Sequence, residues 1–236
     1  MARLTERTLE PEVMDTPEEA HDYDAMDHAA VNEQFCADLL AQGAPGATVL
    51  DVGTGTALIP IALATRAPNC RVVGVDLAEN MLALAKLNIQ RAGFQNRVTV
   101  EKVDEKRMPY DDGAFATTIS NSIVHHIPDP RTVFAEMRRV TASGGLIFVR
   151  DLARPKDDDE VDRLVALYGG EPPEDSSRED SSRTERFERQ RNLLRDSLKA
   201  ALTVDEATEM AASAGLAGAS VCMTSDRHWT LSYRKP

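Results

Sequence analysis

The stretch that most constrains this chain is residues 48–57, which read Thr48, Val49, Leu50, Asp51, Val52, Gly53, Thr54, Gly55, Thr56, Ala57. Its first half is apolar and β-branched, the composition of a buried strand. The run closes on an acid, two glycines spaced by one residue and two threonines. Leu58, Ile59, Ile61, Ala62 and Leu63 then begin a helical pattern. A strand, a tight turn and a helix are expected. Gly53 and Gly55 let the backbone turn sharply and leave bare main chain open to a ligand. The helix N-terminus that follows offers unpaired N–H groups and a partial positive charge.

The dinucleotide fingerprint asks for glycines in the order G-x-G-x-x-G/A after a strand. Here its third position falls on Leu58, too large for close helix–strand packing or a nearby pyrophosphate. Asp51, Gly53 and Gly55 instead resemble motif I of the class I S-adenosylmethionine (SAM) methyltransferases, an acid followed by glycines at every second residue. Ala57 stands where that motif has its third glycine. The run from Ser120 to Pro130 resembles the motif IV region of the UbiE-like, type 11 methyltransferases, with His125 and His126 before the turn Pro128-Asp129-Pro130. The D/N-P-P-[YFW] motif of nucleic-acid amino-methylating enzymes is absent, and so is a Pro-Cys nucleophile. The resemblance covers about residues 45–152, and the ends by element order. It implies an α/β, Rossmann-like class I methyltransferase fold, with a seven-stranded, mostly parallel sheet, an antiparallel C-terminal hairpin and helical lid additions. On this frame residues 1–43 are an N-terminal arm and lid helix, and 44–154 the SAM-binding core. Residues 155–203 are a helical insertion or lid, and 204–236 supply the last helix and the hairpin.

Residues 1–20, polar and carrying Pro11 and Pro17, read as a loose arm, and 22–41 as one helix. That helix carries Tyr23 and His28, which the resemblance places in a lid over substrate; an amphipathic cover on a sheet edge is the plainer alternative. Residues 71–76 form a second strand whose terminal Asp76 lies about 20 residues past the glycine turn, the spacing of a ribose-binding acid. Alone it would read as a helix-capping acid. Leu77 follows it, and the next helix, from about 79 to 91, carries Met81, which in the resembled family lies against adenine or else packs in the core. Residues 98–104 alternate as a strand. Its end acid, Asp104, would receive the adenine amino group, since a carboxylate only accepts hydrogen bonds, and Glu105 would line the ring. Thr54 belongs to the same expected cofactor set as Asp51, Gly53, Gly55, Asp76, Leu77, Met81, Asp104, Glu105 and Asn121. A fourth strand and its loop occupy 115–128. Asn121 is expected near the methionine end of SAM or the substrate, and one of His125 and His126 in the cavity.

A helix over 131–140 precedes a fifth strand at 146–152, ending in Arg150 and Asp151. Arg150 is a substrate candidate, and Asp151 joins His125, His126 and His228 as catalytic candidates; a salt-bridged strand end is the alternative. Residues 169–185 read as a mobile loop, and Phe187, Leu193, Leu194 and Leu198 mark a helix that also carries Arg195, a further substrate candidate. Thr203 and Glu206 form a capping box for the last helix. Strands at 219–224 and 230–234 flank Ser225, Asp226, Arg227, His228 and Trp229, read as a turn pinned by Trp229.

The 236 residues suit one decorated α/β domain, and a net charge of −12 argues against a nucleic-acid footprint. No run approaches membrane-spanning length, and no signal peptide is evident. Cys36, Cys70 and Cys222 are far apart, as expected of buried thiols in a reducing cytoplasm. No metal site is suggested. The sequence leaves the oligomeric state open, a homodimer included. Taken with the resemblance, these features imply a cytoplasmic SAM-dependent methyltransferase acting by in-line displacement on a small-molecule thiol, oxygen or nitrogen. The rivals are a tRNA- or protein-modifying enzyme and a non-catalytic SAM-binding regulatory protein.

Overall fold

The computed structural model describes residues 3–11, 15–26, 29–170 and 178–236. Its sheet has seven strands in the order β3-β2-β1-β4-β5-β7-β6. These are β1 (Thr48–Val52), β2 (Arg71–Asp76), β3 (Val98–Lys102), β4 (Phe115–Asn121), β5 (Thr141–Leu152), β6 (Ser220–Met223) and β7 (His228–Arg234). The first five run parallel, and β7 enters antiparallel between β5 and β6. The order reverses at β1 and β4, so a crevice opens beyond their carboxyl ends.

The strand pattern sorts side chains to two layers, because successive residues face opposite sides of a sheet. Leu50 and Val52 join one core with Phe134, Met137 and Trp229. Val49 joins the other with Phe35, Leu39, Leu63 and Phe148. The helices that cover these faces are α1 (Pro17–Asp24), α2 (Ala29–Ala41), α3 (Leu58–Arg66), α4 (Glu79–Ala92), α5 (Arg131–Val140), α6 (Asp158–Tyr168), α7 (Arg178–Ala200) and α8 (Val204–Ser213). Thr203 and Glu206 form the capping box that starts α8. No helix among the described residues is long and apolar enough to cross a membrane.

Residues 3–11 are not a loose arm. The Leu4 amide donates to the Lys156 carbonyl, and the Thr8 amide to that of Lys199, both at 3.0 Å. Arg7 donates to the carbonyls of Ala200 (2.6 Å), His125 (2.7 Å) and Ile127 (3.1 Å). One arginine fork thus straps this segment to the end of α7 and to the loop after β4, a role that side-chain composition does not announce. The single helix expected over 22–41 is two, α1 and α2. Thr16 and Glu19 form a capping box, with Pro17 at the first helical position, so α1 begins earlier than periodicity suggested. Strand β5 begins at Thr141, not 146, although Gly144 and Gly145 interrupt its apolar pattern. Helix α7 claims 178–185 from the expected loop, of which 171–177 lie outside the described residues. Trp229 is not a turn residue: it is fully buried in β7, opposite Asp151. Cys222 is exposed on edge strand β6, whereas Cys36 and Cys70 are buried.

Candidate functional site

An open cavity lies beyond the carboxyl ends of β1, β2 and β4. Its floor is the turn after β1. The Gly53 and Thr54 amides both donate to the Val75 carbonyl at 2.9 Å, which pulls the loop back over β2. Gly53 has φ +72°, and a Cβ there would sit 2.1 Å from Ile123. Gly55, at φ +52°, has open space above it, the nearest side-chain atom being Tyr23 Cε1 at 3.7 Å. Ala57, where a third glycine was missing, is itself left-handed at φ 63°. Ser122 shares that conformation at φ 58°. Of these two left-handed non-glycine residues, Ser122 lines the cavity and Ala57 is buried at the end of the glycine turn.

Asp76 ends β2 and organises one wall. Its Oδ2 accepts from the Gly55 amide at 2.8 Å and its Oδ1 from the Ala78 amide at 2.9 Å. Burial raises its pKa, against the pull of those amides. Leu77, Ala78 and Met81 continue that wall. Of the acids after β3, Glu105 is buried against the cavity, and burial raises its pKa. Asp104 is exposed and accepts from the Lys106 amide at 2.9 Å, so the structure does not bring it to the cavity. Asp51 and Thr54 lie beneath the loop, with Thr54 Oγ1 donating to Asp51 at 2.7 Å. Burial pushes the Asp51 carboxyl up to about 7, with Asp76 adding to the effect and the Thr54 bond opposing it.

The other wall follows β4. Asn121 lines the cavity, and its Oδ1 is buried without a hydrogen-bond partner. A single 3₁₀ turn, Val124–His126, follows. Asp151 fixes it from below: its Oδ2 accepts from the Val124 amide at 2.6 Å and its Oδ1 from His125 Nδ1 at 2.5 Å. Burial would raise the Asp151 pKa, yet His125 and two backbone amides hold it below the ordinary value. Burial disfavours the His125 cation, but Asp151 and Glu10 outweigh it and raise its pKa. His126 lines the cavity, and burial, with His125 beside it, pushes its pKa down to about 3. The two rings lie 4.2 Å apart between centroids.

Tyr23, on α1, roofs the cavity, and burial and the acids below push its phenol up to about 12. Asn88 of α4 donates to Asp24 (2.9 Å) and to the Thr56 carbonyl (3.2 Å), tying α1 to the glycine loop. His28 lies outside the described residues. Among the described catalytic and substrate candidates, His125 and Asp151 lie behind the cavity wall, and Arg150, Arg195 and His228 do not line the cavity either. Arg150 is buried, donating to Asp38 at 2.5 Å and Thr230 at 3.0 Å. Arg195 pairs with Asp162 across α6 and α7. His228 Nδ1 meets Ser225 Oγ at 2.9 Å, and burial, then Arg227, push its pKa down to about 4. The hairpin turn before His228 docks on α6, where Asp226 accepts from the Tyr168 hydroxyl at 3.0 Å. Sequence reasoning missed Glu10, whose Oε1 lies 3.5 Å from His125 Nε2 and 3.2 Å from His126 Nδ1. Its only signal is an acid inside a segment that otherwise looks unstructured.

A family model described as a methyltransferase domain matches residues 44–215. A malonyl-[acyl-carrier protein] O-methyltransferase of Geobacter sulfurreducens is 37% identical over 131 residues, covering 54% of this chain and 47% of that protein. The ubiquinone/menaquinone biosynthesis C-methyltransferase UbiE of a Geobacter species is 33% identical over 109 residues, covering 45% and 46%. The chain thus spans about half the length of the curated relatives it matches. The crystal structure of a SAM-dependent methyltransferase from Aquifex aeolicus matches with a TM-score of 0.64 at 18% identity, over 93% of this chain and 98% of that one. That likeness shows the shared fold.

Proposed function

The chain belongs to the methyltransferase-domain family, in its class I, SAM-dependent, UbiE-like group, and on that premise we propose that it methylates a small-molecule acceptor within the cavity described above. The observation that carries this reading is the unpartnered Asn121 Oδ1, buried between the glycine loop and His126. A buried acceptor without a donor costs about 1–3 kcal/mol, and the ammonium of SAM's methionine end is a suitable donor. The raised pKa values of Asp51, Asp76 and Glu105 also fit a cationic ligand, which would offset the cost of burying those charges.

Bound SAM supplies a methyl group already activated on its sulfonium. The protein's work is then positioning and exclusion of water. Gly53 and Gly55 pass the methionine half, Asp76 accepts from the ribose hydroxyls, and Leu77 and Met81 flank the adenine. Glu105 accepts from the exocyclic amine. Asp51 acts through Thr54 to hold the loop. Tyr23 closes the roof as part of a lid formed by α1 and α2. His126 lines the acceptor end of the cavity, where its neutral imidazole orients the acceptor by a hydrogen bond. We assign no acceptor role to Arg150, Arg195 or His228.

The relatives named above methylate oxygen and carbon respectively, so the shared core does not by itself fix the accepting atom. A small molecule is favoured over RNA or protein because, among the described residues of α7, four basic groups are already paired with acids: Arg186 and Arg189 with Asp22, Arg195 with Asp162 and Lys199 with Asp158. The buried thiols of Cys36 and Cys70 suit the cytoplasm. The test is release of S-adenosylhomocysteine from SAM with panels of thiols, phenols and carboxylic acids. His126→Ala should slow turnover by about tenfold, through lost orientation of the acceptor, while leaving SAM affinity within about threefold. Turnover with tRNA or protein alone would overturn the small-molecule reading.

A further inference from the structure

From the side chains at the strap, we infer that Glu10, His125 and His126 form a binding site for a divalent transition-metal ion at the wall of the cavity. One oxygen or ring nitrogen from each residue lies within 4.8 Å of the others. Two ligands bound tetrahedrally at about 2.05 Å stand roughly 3.3 Å apart. The distances from Glu10 Oε1 to His125 Nε2 and His126 Nδ1 are 3.5 and 3.2 Å.

Three further observations make this a built site and not a chance cluster. His126 Nδ1 is buried and has no hydrogen-bond partner, despite its nearness to Glu10. His125 gives its other nitrogen to Asp151 at 2.5 Å, the outer-shell carboxylate that fixes the tautomer and orientation of metal-bound imidazoles. Glu10 is delivered by the strap, which Arg7 anchors to the His125 carbonyl, and Ser197 Oγ holds its carboxylate at 3.1 Å.

Two imidazoles and one carboxylate suit Zn²⁺ or Fe²⁺ and not Mg²⁺, which prefers oxygen ligands. Three protein ligands leave positions open, as in catalytic metal sites. Because His126 also lines the cavity, it connects the ion to that space. One extension rests on the methyltransferase reading: an ion here would favour acceptors presenting an oxygen or sulfur lone pair. The metal site itself does not depend on that reading.

The test uses the full chain, dialysed against chelator and titrated with Co²⁺, Zn²⁺, Fe²⁺ under anaerobic conditions, and Mg²⁺. The expected result is one Co²⁺ per chain, with visible ligand-field bands that Zn²⁺ displaces and Mg²⁺ does not. Glu10→Gln and His126→Ala should each weaken binding by more than about tenfold, and Asp151→Asn by about 10–100-fold. Circular dichroism and SAM affinity of Glu10→Gln establish that the variant is folded. Absence of stoichiometric Co²⁺ binding in the folded wild type would overturn the inference, as would binding unchanged in both Glu10→Gln and His126→Ala. SAM binding without metal binding would refute the metal site alone; metal binding without SAM binding would refute the methyltransferase reading alone.

Discussion

Replacing Asp51 by asparagine should make the stability of the ligand-free protein less sensitive to pH. Asp51 is buried beneath the glycine loop, and its carboxyl is pushed up to about 7 from an ordinary 3.8. A carboxyl whose folded pKa exceeds its unfolded one leaves the native state holding the extra proton. Its stabilising contribution is therefore present below the unfolded value and is lost as pH rises through the folded one. Between about pH 5 and the folded value near 7, each pH unit costs about 1.4 kcal/mol. Wild type should thus lose about 3 kcal/mol relative to Asp51→Asn between about pH 5 and pH 8. Asparagine keeps an oxygen for the Thr54 hydroxyl, and any fixed cost of its unpaired amide cancels between the two pH values. The assay is urea unfolding without SAM, followed by the fluorescence of Trp229, the single tryptophan, which is fully buried. A stability difference between the two proteins that stays constant within about 1 kcal/mol across that range would refute the argument. Asp51 would then be ionised throughout and held by some stronger partner.

Gly53→Ala should cost about 2–4 kcal/mol and abolish SAM binding, because it combines φ +72° with a Cβ 2.1 Å from Ile123. Gly93→Ala, at φ +75° with nothing within 4 Å, should cost only about 1 kcal/mol and leave binding intact; chemical denaturation and calorimetry read both. Arg150→Met should lower stability by about 2 kcal/mol through the loss of Asp38 and Thr230, with SAM affinity unchanged in the same titration. Arg7→Ala removes the anchor to Ala200, His125 and Ile127, so limited proteolysis should cut the N-terminal strap faster while the core stays protected.

What could be read from residues alone followed the strength of local signals. The β1 turn, Asp76 and Asn121 were legible because each sits at a strand end whose apolar pattern is strong, and a parallel sheet places strand ends together. Glu105 and Asp104 were both named, but which one faces inward depends on a single residue of register after β3, and that is a tertiary fact. Glu10 was not legible. Its place comes from Arg7 reaching three carbonyl oxygens distant in sequence, and backbone acceptors leave no mark in side-chain composition. Arg150 misled for the opposite reason: a charge at a strand end resembles a substrate ligand, whereas its neighbours in space are Asp38, Thr230 and the rings of Phe35 and Phe148. Trp229 looked like a turn residue because the short, polar segment 224–227 hid where β7 begins.

The central claim is that the cavity over Gly53, Gly55 and Asp76 is built for SAM. Calorimetric titration of the wild type and Asp76→Ala with SAM, S-adenosylhomocysteine and NADH tests it most directly. The account predicts micromolar binding of the first two by wild type, about −8 kcal/mol, no binding of NADH, and loss of binding in Asp76→Ala. Binding of NADH but neither SAM nor S-adenosylhomocysteine would contradict it and return the glycine turn to the dinucleotide class.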